Sequence, residues 1–166
     1  MTGFWQSAIR RQFHASIDML ANAIEACPDS VWSGEDRGAF WYIAFHVLIF
    51  LDLYLSPCDE DQFHPPAAFG RTELEDEVVM PPQTYTKEEL LGYADHCRKK
   101  LDALMAAATE AWFTASCPIA YRAMSNGELL LYNMRHVQHH AAQLNMLLRQ
   151  RTNSAPDWVS KGPRPR

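Results

Sequence analysis

The apolar residues of this chain recur three or four positions apart along four separate segments, and this spacing constrains the fold more than any other feature. Such a period is that of an α-helix that buries one face. In the first segment, from Phe4 to about Ala26, the stripe consists of Ile9, Phe13, Ile17, Leu20 and Ile24. No alternating strand pattern competes with it. The sequence therefore predicts an all-α protein built from four helices.

The other three helices have recognisable ends. The second is predicted from about Ala39 to Leu55, because a turn rich in Gly and Ser precedes it and Ser-Pro follows it. The third and fourth begin at capping boxes, Thr86-Lys-Glu-Glu and Ser125-Asn-Gly-Glu, whose side chains satisfy the first backbone N–H groups of a helix. They are predicted to end near Glu110 and Arg151.

Between the second and third helices lies a long connection, Pro57 to Tyr85, which we call the crossover segment. It contains five prolines and an acidic patch from Glu73 to Glu77, so it is not a regular helix. Antiparallel neighbours need only a few connecting residues, whereas a connection this long lets the chain cross the bundle and begin the third helix parallel to the second. The expected fold is a four-helix bundle with up-down-down-up topology.

The remaining segments complete the predicted organisation. The stretch from Trp112 to Met124 is predicted to be a loop because Pro118 interrupts it. Residues 1–152 are expected to form a single four-helix domain, and residues 153–166 a C-terminal tail. Because Lys161 to Arg166 contain two prolines, we expect the end of this tail to be frayed.

Composition narrows the functional class. The chain has 166 residues, of which 48% are hydrophobic, and a formal net charge of -5, which fits one globular domain and argues against nucleic-acid binding. The four cysteines form no C-x-x-C pair and no signal peptide is visible, so we expect a cytoplasmic location. The apolar stretch Ala39 to Leu55 is too short to span a membrane and predicts a buried helix.

Two of the seven histidines lie four residues apart on the fourth helix. His136 and His140 are therefore one turn above the other, a spacing at which two imidazoles can converge on one metal ion. Measured from the buried stripe around Val137, His140 lies about 60° and His136 about 100° to the same side, whereas His139 lies about 160° away and should face solvent. His14, His64 and His96 are expected to be solvent-exposed or locally hydrogen-bonded.

The third candidate ligand is His46 on the second helix. Its neighbours are almost all apolar, so we expect it to be buried and to need a partner for each ring nitrogen. Taken alone, it is more simply a core histidine that bonds to Tyr42, Tyr54 or a backbone carbonyl. Together with His136 and His140, it gives a bundle the three ligands of a metal site between facing helices.

These features resemble the DinB/YfiT-like superfamily of four-helix metalloproteins. The resemblance rests on the lone histidine at 46, on the H-x-x-x-H pair at 136 and 140, and on Gln143, although Ala141-Ala142 stands where the family commonly has Arg-Gly. It implies an up-down-down-up bundle, often dimeric, in which His46, His136 and His140 bind a divalent metal. Zinc or nickel is the expected ion.

Two functions fit such a site. The leading hypothesis is a metal-dependent enzyme of the thiol S-transferase or hydrolase type, acting on a small-molecule substrate; the resemblance implies a low-molecular-weight thiol as one reactant. Neutral imidazoles would leave the ion its full charge to generate a nucleophile near neutral pH. The alternative is a non-catalytic binding or stress-response module in which the metal staples helices, with Cys97 as a candidate fourth ligand. The absence of a Glu-x-x-His motif disfavours a di-iron centre.

The second helix is apolar around more of its circumference than three neighbouring helices would cover. Two explanations are open, namely a homodimer interface on this helix and coverage by the crossover segment. Neither a membrane nor a nucleic acid is expected as a partner.

Overall fold

This computed structural model describes residues 2–75 and 80–162, and within these ranges the chain forms six α-helices and two single turns of 3-10 helix. Four long helices make the bundle, and two short ones lie in the connections. Their bounds are α1 (Thr2–Ala26), α2 (Asp29–Trp32), α3 (Phe40–Tyr54), α4 (Lys87–Ala107), α5 (Glu110–Thr114) and α6 (Asn126–Thr152). The single turns lie at Glu60–Gln62 and Thr72–Leu74. The all-α prediction is confirmed.

The predicted helix starts are confirmed by their hydrogen bonds. Both capping boxes are formed, with Thr86 and Ser125 accepting from the backbone N–H groups of Glu89 and Glu128. The end of α6 is also as predicted, because Asn153 adopts a left-handed conformation with φ 57° that stops the helix.

The end of α4 differs from the prediction. The helix stops at Ala107 because Ala108 is extended, and Thr109 then caps the separate helix α5 by accepting a hydrogen bond from the backbone N–H of Trp112. Glu110 therefore belongs to α5, and the predicted loop from Trp112 begins inside that helix. A local capping signal at Thr109 decided this boundary.

The directions of the helices follow from their side-chain pairs. Along α3 and α6, His46 faces His140 and Tyr54 faces Tyr132, so these helices are antiparallel. Along α1 and α4, Gln6 bonds to Ala108 whereas Asp18 pairs with Arg98, which is again antiparallel.

The pair α3 and α4 runs in the same direction. The Sγ atom of Cys97 lies 4.0 Å from the carbonyl oxygen of Leu48, and three residues further along α4 Lys100 donates to Ser56. With α1 packed against both α4 and α6, the order of directions is up, down, down, up. The predicted topology is confirmed.

The crossover segment returns the chain from the end of α3 to its beginning. Tyr85, which precedes α4, packs on Phe45 and Trp41 in the first half of α3, with ring centroids 4.7 and 6.1 Å apart. Phe69 stacks on Tyr93 of α4 at 4.3 Å. Residues 76–79, which include part of the predicted acidic patch, lie outside the described residues.

Coverage by the crossover segment accounts for the apolar circumference of α3. Phe45 and Leu48 are 0% exposed and Trp41 is 2% exposed within the single chain. The explanation by internal coverage therefore suffices for these side chains, and a homodimer stays a prediction. Among the described residues, no helix is long and apolar enough to cross a membrane.

Of the stretch from Lys161 that was expected to be frayed, the structure describes Lys161 and Gly162, and the expectation is wrong for Gly162. Residues 153–162 turn back along α1, where the backbone N–H of Val159 contacts Sδ of Met19 at 3.2 Å and that of Gly162 donates to the carbonyl of Arg11. Val159 is 2% exposed. Val159 belongs to the buried apolar core, a signal that the charges and prolines nearby concealed. Residues 163–166 lie outside the described residues.

Candidate metal centre

The structure brings His46, His136 and His140 together. Each offers a ring nitrogen, and these three atoms all lie within 4.8 Å of one another. The ring centroids are 4.6 to 5.4 Å apart. His136 and His140 lie on successive turns of α6, and the antiparallel helix α3 places His46 beside them. All three side chains are half-buried, so the cluster lies at the edge of the core.

The predicted faces of α6 are confirmed. Val137 is 0% exposed, the flanking His136 and His140 are half-buried, and His139 is exposed. The helical period of 3.6 residues alone sorts these neighbouring histidines onto different faces.

His46 is less buried than its apolar neighbours indicated. Its side chain is 28% exposed, because the stripe of α3 that contains Ile43, His46 and Phe50 is only half-covered. The crossover segment and α4 cover the other sides of the helix, so this stripe faces a cavity beside α6. The exposed fraction makes the imidazole of His46 accessible to a small molecule.

Glu73 is the site residue that sequence reasoning missed. Its Oε2 lies 2.5 Å from Nδ1 of His46, and its Oε1 accepts a hydrogen bond from the hydroxyl of Tyr42. Burial raises the pKa of Glu73, but the hydrogen bonds from His46 and Tyr42 lower it more, and the pKa stays below its ordinary value. The carboxylate is therefore ionised and can only accept, so Nδ1 of His46 carries the proton.

The position of Glu73 explains why it was missed. It lies in the acidic patch of the crossover segment, where a solvated run of charges is the ordinary interpretation, yet its side chain is only 3% exposed. Tyr42 lies one helical turn before His46. Burial, and after it the hydrogen bond with Glu73, raises the pKa of the Tyr42 hydroxyl. A single buried carboxylate thus joins the two residues on the cavity side of α3.

Gln143 orients the second imidazole. Its Oε1 lies 2.6 Å from Nδ1 of His140, and its amide nitrogen lies 3.3 Å from Nε2 of His139. Because an amide oxygen only accepts, Nδ1 of His140 donates and Nε2 keeps its lone pair. Asn133, three residues before His136 on α6, donates to the backbone carbonyl of Leu51 on α3.

The third imidazole keeps an unsatisfied atom. Nδ1 of His136 is buried and has no hydrogen-bond partner among the described residues. Burial, with the neighbouring histidines as the next cause, lowers the pKa of His136 to about 3 and that of His140 to about 4. Both are therefore neutral at pH 7, the form in which imidazole binds a metal.

A cavity of about 420 Å³ opens beside the cluster. His46 and His140 line it together with Tyr42, Glu73 and Gln143. Its size is within the range of small-molecule sites. A molecule in this cavity would lie against two of the three imidazoles.

The other histidines do not join the cluster. His64, His96 and His139 are exposed, as predicted. The prediction that His14 is exposed or locally hydrogen-bonded is wrong. This residue is 1% exposed, and its Nε2 lies 2.7 Å from Oδ1 of Asp102 on α4. The partner, 88 positions away in the sequence, could not be read from the local pattern.

Cys97 lies away from the three histidines. It is 0% exposed between α3 and α4, and burial raises the pKa of its thiol well above the ordinary value. It is not a member of the group of ligand atoms within 4.8 Å. The structure therefore agrees with a core cysteine.

A model of the DinB family matches residues 7–156, which include α1 from Ser7 onward, all of α3, α4 and α6, and the three histidines. No curated protein matches the chain, and no solved structure matches it.

Proposed function

Because the chain belongs to the DinB family, we propose that it is a metal-dependent enzyme in which His46, His136 and His140 hold one divalent ion. The observation that carries the proposal is the convergence of three ring nitrogens within 4.8 Å beside a cavity that a small molecule can enter. Imidazole suits both zinc and nickel, so either is the proposed ion.

The donor set fits a metal by its hydrogen bonds. Glu73 and Gln143 engage Nδ1 of His46 and His140, which leaves the Nε2 lone pairs of the neutral rings for an ion. A carboxylate or amide behind a ligating histidine is the usual arrangement in metal sites, because it holds the ring in one orientation. The unpartnered nitrogen of His136 adds a buried group that an ion nearby would help to stabilise.

The reaction proposed is thiol transfer or hydrolysis on a small molecule. When bound, a divalent ion supplies positive charge that acidifies a thiol or water towards neutral pH. The chain supplies the rest: Glu73 holds His46, Tyr42 holds Glu73, and the cavity confines the substrate. A low-molecular-weight thiol is the proposed reactant, and the cytoplasm the proposed location.

The structural alternative, in which the metal only staples helices, has less support. It needs a closed site, and Cys97, its candidate fourth ligand, bonds instead towards the carbonyl of Leu48. The cavity beside His46 and His140 favours the catalytic function, since it provides room for a substrate next to the proposed ion.

The test is the metal content of the purified chain, prepared without a chelator or a nickel column and measured by elemental mass spectrometry. We expect about one equivalent of zinc or nickel in the wild type and almost none in His46→Ala, His136→Ala or His140→Ala. His139→Ala is the matched control, because this exposed histidine is adjacent to His140, and it should retain the metal. A wild type that neither contains nor takes up zinc or nickel contradicts the proposal.

A further inference from the structure

The cavity beside the histidines has one cationic residue in its wall. Arg37 precedes α3, is exposed, and lines the cavity together with His46 and His140. A molecule in this cavity would therefore lie near a guanidinium as well as two imidazoles.

The negative charge in the cavity wall already has hydrogen-bond partners. Glu73 is the one carboxylate among the described lining residues, and its two oxygens face the Tyr42 hydroxyl and Nδ1 of His46. Its side chain is 3% exposed, whereas Arg37 is an exposed residue. A proposed divalent ion would add two further positive charges, so the loaded site as a whole would attract an anion.

Apolar side chains flank His46 along the cavity wall, and Ile43 lies between His46 and Arg37 in the chain. Ile43 and Phe50 lie on the same stripe of α3 as His46, one turn to either side, and both line the cavity. Arg37 lies three residues before α3, and His46 lies six residues into it, about 9 Å along the helix axis. A bound molecule would place a charged group near Arg37 and a reacting group near His46, with a few carbon atoms between them.

We propose that this cavity selects a small anionic substrate, whose carboxylate is held by Arg37 while its reacting end lies against the three histidines. The inference rests on the proposed function and adds the substrate class to it. Guanidinium is suited to this role because its planar N–H groups bind a carboxylate in a fixed geometry. Arg37 is thus a specificity residue, and removing it should change the preference among substrates more than the stability of the fold.

The experiment compares two thiols of nearly equal size, 3-mercaptopropionate and 3-mercapto-1-propanol, by isothermal titration calorimetry with the zinc-loaded full chain at pH 7. We expect the wild type to bind the acid at least about 10-fold more tightly, the range of a charge-assisted hydrogen bond. Arg37→Gln should abolish this difference by weakening only the acid. Unchanged thermal unfolding would show that this exposed position does not affect folding.

The matched control is Arg135→Gln, which removes the same charge from an exposed arginine adjacent to His136 that lines a different cavity. It should keep the preference for the acid. Discrimination that persists in Arg37→Gln would overturn the inference, because the ion alone would then attract the carboxylate. A wild type that binds both thiols equally would also overturn it.

A second arm separates this inference from the proposed function. The same titrations are made with two preparations of the full chain, one treated with a chelator and one supplied with zinc. If no zinc binds, the proposed function fails, yet a preference for the acid that depends on Arg37 in the metal-free chain would still support carboxylate recognition. If zinc binds and Arg37 has no effect, the proposed function stands and the inference fails.

Discussion

Oε2 of Glu73 lies 2.5 Å from Nδ1 of His46, so a residue of the crossover segment holds a candidate metal ligand of α3. Tyr42 bonds to the other carboxylate oxygen, which restrains Glu73 in turn. The long connection between α3 and α4 therefore does more than return the chain across the bundle. It supplies the group that orients one imidazole.

Replacing this carboxylate should weaken metal binding without unfolding the bundle. In Glu73→Ala the ring of His46 loses its hydrogen-bond partner, and we expect zinc affinity to fall about 10- to 100-fold, as is usual when such a partner is removed. Competition with a chromophoric chelator measures this change. Glu75→Ala is the control, since this exposed carboxylate lies two residues away in the same segment. Equal affinities for Glu73→Ala and the wild type would contradict the assigned role.

The stability of the metal-free chain should depend on pH through His136. Above pH 6.5 its imidazole is neutral in both the folded and the unfolded chain. As the pH falls from 6.5 towards the folded pKa of about 3, the unfolded chain binds a proton that the folded chain excludes, because burial disfavours the charged form. The free energy of unfolding should therefore be about 1–2 kcal/mol lower at pH 5 than at pH 8 because of this residue.

Urea unfolding at the two pH values tests this expectation. His136→Gln, which cannot titrate, should lose less stability than the wild type between pH 8 and pH 5. His139→Gln should behave like the wild type, since His139 is exposed. Equal losses in His136→Gln and the wild type would show that His136 is protonated in the folded chain.

The buried ion pair between α3 and α4 should show strong coupling. Asp52 is 1% exposed, and Lys100 donates to its carboxylate, to its backbone carbonyl and to Ser56. Lys100→Met leaves this carboxylate with the hydrogen bond from Tyr93 and with Nε2 of His96 at 3.6 Å, and we expect a loss of roughly 3 kcal/mol in the free energy of unfolding.

A double-mutant cycle in urea measures the coupling. Because Asp52→Asn removes the charge that Lys100 neutralises, the double variant Asp52→Asn/Lys100→Met should be more stable than the sum of the two single losses predicts. Strict additivity would mean that the two side chains stabilise the fold independently.

The docking of the C-terminal segment on α1 can be tested at one glycine. A Cβ at Gly162 would lie 2.6 Å from the backbone nitrogen of Ala15 and 2.7 Å from the carbonyl carbon of His14. Gly162→Ala should therefore displace the segment and cost about 1 kcal/mol of unfolding free energy. The exposed Trp158 provides a fluorescence signal for the displacement.

Gly92 provides the opposite case. It lies inside α4, and a Cβ there would have no atom within 4 Å. Gly92→Ala should stabilise the chain by about 0.5–1 kcal/mol, because alanine loses less backbone freedom in a helix. Stabilisation by both substitutions would contradict the close packing of Gly162.

Much of the fold could be predicted because its signals are local. The periodic stripe of α1, the capping boxes at Thr86 and Ser125, and the stop at Asn153 each depend on residues within a few positions of one another. The crossover segment constrained the topology through features that are also local. Its prolines prevent a regular helix, and its length lets the chain cross the bundle. The α4 end was wrong because the cap at Thr109 competes with continuation of the helix.

The candidate site was predictable only in part. His136 and His140 share a face by helical geometry, and His46 was recognisable as a polar residue in an apolar helix and by resemblance to a family. Glu73, in contrast, is 27 residues from His46 and lay within a run of charges, so its burial had no local signature. His14 was misjudged for the same reason, because its partner Asp102 is on another helix.

The sequence by itself therefore determined the four long helices, their approximate ends, the up-down-down-up order and the three histidines. Those features follow from the period of the helix, from capping and from chain length. Only the tertiary structure decided that Glu73 and Tyr42 support His46, that the C-terminal segment docks on α1, and that Arg37 lines the cavity. These contacts join residues that are distant in the chain or lie in irregular segments, and only the packing of the whole core establishes them.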